Sequence, residues 1–154
     1  MSLLKEISVS ATSAWSPVSR SNIIAIGSKE GVGVGFDNYG GELSFHGMDF
    51  ADTNPSTNIV GKIPIQSRFN SMSWHYVNKH GTECPYGILA GGMADGKVNL
   101  WNPAKIIAGK GSDSILGTIN RHKGAVNCVQ FNPHVDSSHL LATAGWYVNH
   151  LLFL

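Results

Sequence analysis

Three stretches of the chain follow one plan, and their spacing limits the fold more than any other feature. They are "AWSPVSRSNIIAIGS", "SWHYVNKHGTECPYGILAGGMADG" and "VQFNPHVDSSHLLATAG". Each sets an aromatic residue before a polar turn of variable length and closes on a short apolar run ending in small residues. The aromatics Trp15, Trp74 and Phe131 stand 59 and 57 residues apart. A near-constant period of this size marks a repeat architecture, in which each unit buries its apolar face against its neighbours.

Within each unit the signals are for strands. "IIAIG", "GILAGG" and "LLATAG" are brief apolar runs bounded by turn residues, as strands buried on both faces require; they place strands near 23–27, 88–91 and 140–144. "KVNLW" alternates Val98 and Leu100 with polar partners, and "ADG" before it is a hairpin turn in which Gly96 can take positive φ. Helical periodicity is weak, apart from one short turn in "NPAKIIAGKG" with Asn102 as cap and Pro103 as first residue. A four-strand unit repeated at this scale is a β-propeller blade, of about 40–50 residues. The extra length here is expected in surface loops, at "DFADTNPSTNIVGK" and "AKIIAGKGSDSILGTIN". The expected fold is all-β, an open and incomplete propeller over 1–145, with blades near 1–65, 66–119 and 120–145.

Composition agrees with this reading. The chain has 154 residues, 42% apolar and 14% charged, which excludes a charge-driven disordered chain. Its 18 glycines favour a turn-rich β protein, and its net charge of +1 provides no basic field for nucleic acid. Two cysteines, Cys84 and Cys128, make no secreted disulfide framework, so a reduced cytosolic setting is expected. "MSLLKEISVSATSAWSP" lacks a signal-peptide pattern, and no stretch reaches the roughly 18 apolar residues of a membrane span.

The fragments that invite catalysis are incomplete. "GVGVGF" (31–36) lacks the dinucleotide-loop spacing, and "AGKGS" lacks the Ser or Thr that must follow Lys110 in a P-loop. His75, His80 and Cys84 have no fourth ligand at a familiar spacing, so they are expected in a solvated loop before a buried strand rather than around zinc. No G-x-S-x-G elbow occurs. Trp15, Trp74 and Trp101 have the chemistry to stack a base or sugar, but their places at strand ends favour packing in the core or between blades. His122 has no acidic orienter or nucleophile beside it in sequence, so it is expected to be structural. No catalytic, cofactor-binding or metal-ligating residue is assigned, and an enzyme is not expected.

"GGMADGKVNLWNP" resembles the WD-repeat signature, with the Asp95-Gly96 turn, an alternating strand and Trp101, and with Asn102 where the family has Asp. "RHKGAVNCVQFNP" resembles the entry to a following repeat. There His122 matches the family histidine, which the resemblance places in a buried hydrogen-bond network with a strand Ser or Thr, here Thr143, and with a turn Asp, here absent after Gly145. A narrower resemblance joins "AWSP", "DGKVNLWNPAKIIAG" and "HKGAVNCVQFNP…LLATAG" to the large outer-coat subunit of COPII vesicles, the Sec-thirty-one family. It covers roughly residues 1–145. It implies a non-enzymatic coat component in endoplasmic reticulum to Golgi transport, without cofactors. In the full-length family member the implied partners are the small propeller subunit of the outer coat, which pairs with an insertion blade beyond this segment, and neighbouring coat subunits. The implied location is cytoplasmic, peripheral at the endoplasmic reticulum membrane and the vesicle coat. A generic WD-repeat scaffold of another cytosolic complex is the alternative. "WYVNHLLFL" does not supply the Asp turn, alternating strand and Trp-Asp pair a blade needs next. The segment 146–154 is therefore expected to be an aberrant apolar tail on a truncated product of reduced or no coat-assembly activity, with a C-terminal β-strand docked on a sheet as the alternative.

Overall fold

The computed structural model describes residues 5–19, 21–30, 40–76, 83–146 and 149–153. The chain runs through successive antiparallel meanders. The first sheet holds β1 (Ala11–Trp15), β2 (Ile23–Ser28), β3 (Gly41–Gly47) and β4 (Asn58–Ile65), paired in that order. The second holds β5 (Phe69–His75), β6 (Ile88–Met93), β7 (Val98–Trp101) and β8 (Ile115–Ile119). The third holds β9 (Val126–Phe131), β10 (Leu140–Gly145) and β11 (Asn149–Phe153). Each sheet is one blade, and the stacked blades form an open all-β array.

Two buried clusters join the blades. Phe45 of the first blade meets Trp74 edge-on at 5.4 Å between ring centroids, within a cluster that also takes in Leu43, Phe69, Leu89 and Trp101. The second cluster holds Ile88, Ala90 and Leu100 of the middle blade against Val126, Val129 and Phe131 of the third. β6 is buried along its whole length because it serves both clusters. Leu89 and Met93 face the first blade and Ile88 and Ala90 the third, as the period-two alternation of a strand dictates.

Close approach of the blades depends on two equivalent glycines, each fifth in its strand. A Cβ on Gly27 would stand 2.6 Å from the Phe69 ring and 2.5 Å from the Met72 sulfur. A Cβ on Gly92 would stand 2.8 Å from Val126 and 3.1 Å from Val129. The same offsets recur at both junctions: the first and fourth residues of an inner strand lie over the glycine of the preceding blade.

The three apolar runs form strands where the sequence places them, each a residue or two longer than expected. The outer strands differ from expectation. "NIVGK" and "ILGTI" were expected in loops, but they begin β4 and form β8. An outer strand is half exposed, so its Gly, Lys and Thr residues imitate loop composition. The intervening segments do lie at the surface, one of them with the short helix α1 (Pro103–Ile107). In the tail the alternative of a docked strand is what the structure shows. Asn149–Phe153 pairs along β10, with Leu141 opposite Leu152 and Ala144 opposite Asn149. Backbone groups on the edge of β10 need partners whatever the side chains opposite, and the tail meets that need without a WD signature.

Overpacking at a glycine junction costs about 1–3 kcal/mol. Gly92→Val is expected to lower unfolding stability by about that amount, measured by chemical denaturation. Gly117→Ala is the control, because the nearest atom to a Cβ there is 4.0 Å away, and it should leave stability nearly unchanged.

Candidate functional site

Trp15, Trp74 and Phe131 hold the same register position: Trp15 stands opposite Ile24, Trp74 opposite Leu89 and Phe131 opposite Leu141, the second residue of the next strand in each case. Their burial differs. Trp74 and Phe131 are 7% and 4% exposed, whereas Trp15 is 54% exposed. Trp74 and Phe131 pack in the junction with the preceding blade, and among the described residues no blade precedes the first. Expected in a core or between blades, Trp15 instead lies on an open flank. Ile7 and Val9 of the entering segment line a cavity of about 160 Å³ there with Ile26 and His46. Trp74 Nε1 donates to the Tyr86 carbonyl at 2.7 Å.

Asp95 and Gly96 make the β6–β7 turn. The Asp95 carboxylate accepts from the Lys97 backbone N–H at 3.1 Å and pairs with the Lys97 ammonium at 3.0 Å. Gly96 has φ of +88°, and a Cβ there would meet the His122 carbonyl at 2.9 Å. The turn thus packs against the segment carrying His122. The His122 ring, 7% exposed, places Nε2 2.9 Å from the hydroxyl of Thr143, itself 3% exposed.

Asn102 has a physical reason to replace aspartate. Its Oδ1 accepts from the Ala104 N–H at 3.1 Å and caps α1, while its Nδ2 donates to the Glu83 carbonyl at 2.9 Å. A carboxylate would cap equally well but has no hydrogen to donate to that carbonyl.

Sequence reasoning missed Ser71 and Ser73. Their hydroxyls accept from the backbone N–H groups of Val129 and Phe131, each at 3.1 Å, and so bond one blade to the inner edge of the next. The even spacing of the two serines on one face of β5 was the available signal. The expectation for His75 and Cys84 needs correction too. His75 ends β5 and stacks on Phe131 at 5.7 Å, and Cys84 is buried in the second cluster. The junction with the third blade buries Cys84 and half-buries His75. His80 and the "GVGVGF" segment lie outside the described residues. Among the described residues no group of three or more His, Cys, Asp or Glu side chains is placed to hold a metal, and no helix is long and apolar enough to cross a membrane.

A cleft of about 510 Å³ lies between β4 and the β7–β8 pair. Residues 63–67 form one wall, and Trp101, Asn99, Ile115 and Thr118 form the other. The Asp95–Lys97 pair stands at its rim, as do Gly111 and Ser112.

The chain is 35% identical to protein transport protein SEC31 of Dictyostelium discoideum over 94% of its own length. It is 36% identical to sec31 of Aspergillus oryzae over 92% of its length. The chain is a Sec31 homologue. It spans 11% of the length of either relative. The SEC31 homolog B of Arabidopsis thaliana matches 66% of the chain at 36% identity. No family model matches. Among solved structures, 94% of the chain superposes on a chain of the COPII outer-coat vertex on membranes, with a TM-score of 0.63 at 17% identity, and covers 33% of it. The C-terminal WD40 domain of Sif2 gives a TM-score of 0.61 at 17% identity, over 97% of this chain and 35% of that one. These likenesses establish the WD-propeller fold for the Sec31 homologue.

Two measurements probe the buried polar groups. Thr143→Val removes the hydroxyl that meets His122 Nε2 and keeps the shape, so it should cost about 1–3 kcal/mol. Thr118→Val, at the exposed 2.8 Å contact with Asn99, should stay within about 0.5 kcal/mol. The second measurement is pH dependence. Burial holds the pKa values of His46 and His75 below 6.5, against a smaller opposing effect of Glu42 on His46. The unfolded chain therefore binds these protons first as pH falls. Their contribution to stability is intact above the unfolded value and is lost as pH drops from it through the lowered folded values. The urea midpoint should fall between pH about 7.5 and about 5, and the double variant His46→Gln, His75→Gln should flatten that fall.

Proposed function

We propose that this Sec31 homologue is a non-enzymatic structural part of the COPII outer coat, acting in endoplasmic reticulum to Golgi transport. In this reading it works on the cytoplasmic side, at the endoplasmic reticulum membrane and on coated vesicles, and is held there through other coat proteins without inserting in the bilayer. The observation that carries it is identity of 35–36% with transport proteins across more than nine-tenths of the chain. The propeller blades supply what such a part requires, a rigid scaffold whose loops and rim meet other proteins.

The unit boundaries proposed are blades near 1–65, 66–119 and 120–145, with 146–154 as a terminal segment, and the three sheets support them. In the same reading Asp95, Gly96, Trp101, His122 and Thr143 serve as WD-type structural positions, and Trp15, Trp74 and Phe131 mark the matching place in each blade. The partners are the small propeller subunit of the outer coat and neighbouring coat subunits. Contacts belong to the segment after Ala94 and the stretch from Lys105 to Ser112, which border the cleft.

A chimera tests this. Residues 5–145 replace the matching segment of a full-length Sec31 in cells depleted of their own. Restored secretion of a cargo protein is the expected result. A chimera that accumulates as a folded protein yet leaves secretion blocked would overturn the proposal.

A further inference from the structure

Antiparallel meanders send alternate turns to opposite rims of the array, and charge divides between the two rims. The turns after β2, β4, β6, β8 and β10 share one rim. Consecutive turns there touch. A Cβ on Gly41 would lie 2.9 Å from the Ser28 hydroxyl and 3.1 Å from the Ser67 carbonyl, which sets Lys29 and Arg68 at neighbouring turns. The Ala94 N–H donates to the Arg68 carbonyl at 2.9 Å. A Cβ on Gly96 would lie 2.9 Å from the His122 carbonyl and 3.1 Å from that of Gly124, and one on Gly145 3.0 Å from that of Ala125. The turns therefore form one continuous arc across the three blades.

Lys29, Arg68, Arg121 and Lys123 lie along this arc, all exposed and none in an ion pair among the described residues. Its described carboxylates are Glu30, next to Lys29, and Asp95, which Lys97 neutralises at 3.0 Å. The turns of the other rim carry Asp49, Asp52, Glu83, Asp113 and Asp136. Against them stand Lys105, Lys110 and the Lys5 ammonium, which bonds there to the Asn54 carbonyl and pairs with Asp52. A net charge of +1 conceals this division. Where the basic arc meets the third blade, Trp146 is 74% exposed. Arginine and tryptophan dominate the energetics of protein-binding surfaces. A phosphate lattice, of a bilayer or a nucleic acid, would lie against the whole arc and meet Glu30 and Asp95 as well. A peptide places its carboxylates at intervals. It can pass the Asp95 turn and still present carboxylates to the guanidinium forks of Arg68 and Arg121 on either side.

We infer that the basic rim binds an acidic, extended segment of a partner protein, whose carboxylates meet Arg68, Arg121 and Lys123 and whose apolar end covers Trp146. The inference does not depend on the coat assignment, because it rests on the placement of charge along the turns.

The test is fluorescence anisotropy with a fluorescein-labelled peptide amide, Asp-Glu-Asp-Glu-Asp-Glu-Leu-Leu, and a counterpart with Asn and Gln in place of the acids. The acidic peptide is expected to bind the chain saturably, and more weakly at about 200 mM salt than at about 50 mM. The uncharged counterpart should not saturate. The triple variant Arg68→Gln, Arg121→Gln, Lys123→Gln, altered only at exposed positions, should weaken binding about tenfold, and Trp146→Ser about fivefold. Lys62→Gln, at an exposed lysine of β4 outside the arc, should stay within about twofold. Circular dichroism reports whether each variant is folded. No saturable binding at low salt, equal binding of the uncharged peptide, or unchanged affinity in the folded triple variant or folded Trp146→Ser would overturn the inference. So would tighter binding of phosphatidylserine vesicles or a single-stranded DNA oligomer through the same three cations, which would assign the rim to a phosphate surface.

Discussion

The approach of one blade to the next over a bare glycine backbone sets the geometry on which the rest of this protein depends. Gly27 receives Phe69 and Met72, and Gly92 receives Val126 and Val129. With the blades this close, the large residues on either side of each glycine interlock. Phe45 reaches Trp74, and Ile88 and Ala90 reach Phe131. Burial of this kind contributes about 25 cal/mol per Å² of apolar surface removed from water. Proximity also brings serine hydroxyls within reach of the neighbouring backbone.

The polar structure follows from that packing. Asn102 is buried because the loop carrying Glu83 folds over the end of β7, and this burial requires its amide to bond on both sides. His122 lies under the β6–β7 turn and meets Thr143 across the third blade. In the first blade the register places His46 opposite Ile24, the position at which Trp101 stands opposite Leu89. His46 bonds there to Ser44 and Thr57. One location thus holds a polar pair in one blade and a large indole in another.

This explains which parts of the fold and candidate site were legible in the sequence. The second strands were plain because they are buried on both faces or nearly so, and a run such as "ILAGG" has few other destinations. Asp95, Gly96, Trp101, His122 and Thr143 stood out because they form a pattern at fixed spacing. β4 and β8 were hidden because strands exposed on their outer side draw on the same residues as loops. β11 was no more than an alternative in the sequence, because backbone pairing leaves little mark on side-chain identity. The cleft was illegible for another reason: its walls come from segments more than thirty residues apart, from Ile63 to Thr118.

The paired serines of β5 carry one more consequence. A β-hairpin ordinarily takes its register from its turn, so lengthening the turn risks a slip that would invert every side chain. Here Ser71 and Ser73 grip the N–H groups of Val129 and Phe131 from the adjacent blade. The third blade's inner strand is therefore indexed from its flank. The connection from Phe131 to Leu140 is relieved of that duty, and its length and composition are free to drift while the strands it joins stay in phase.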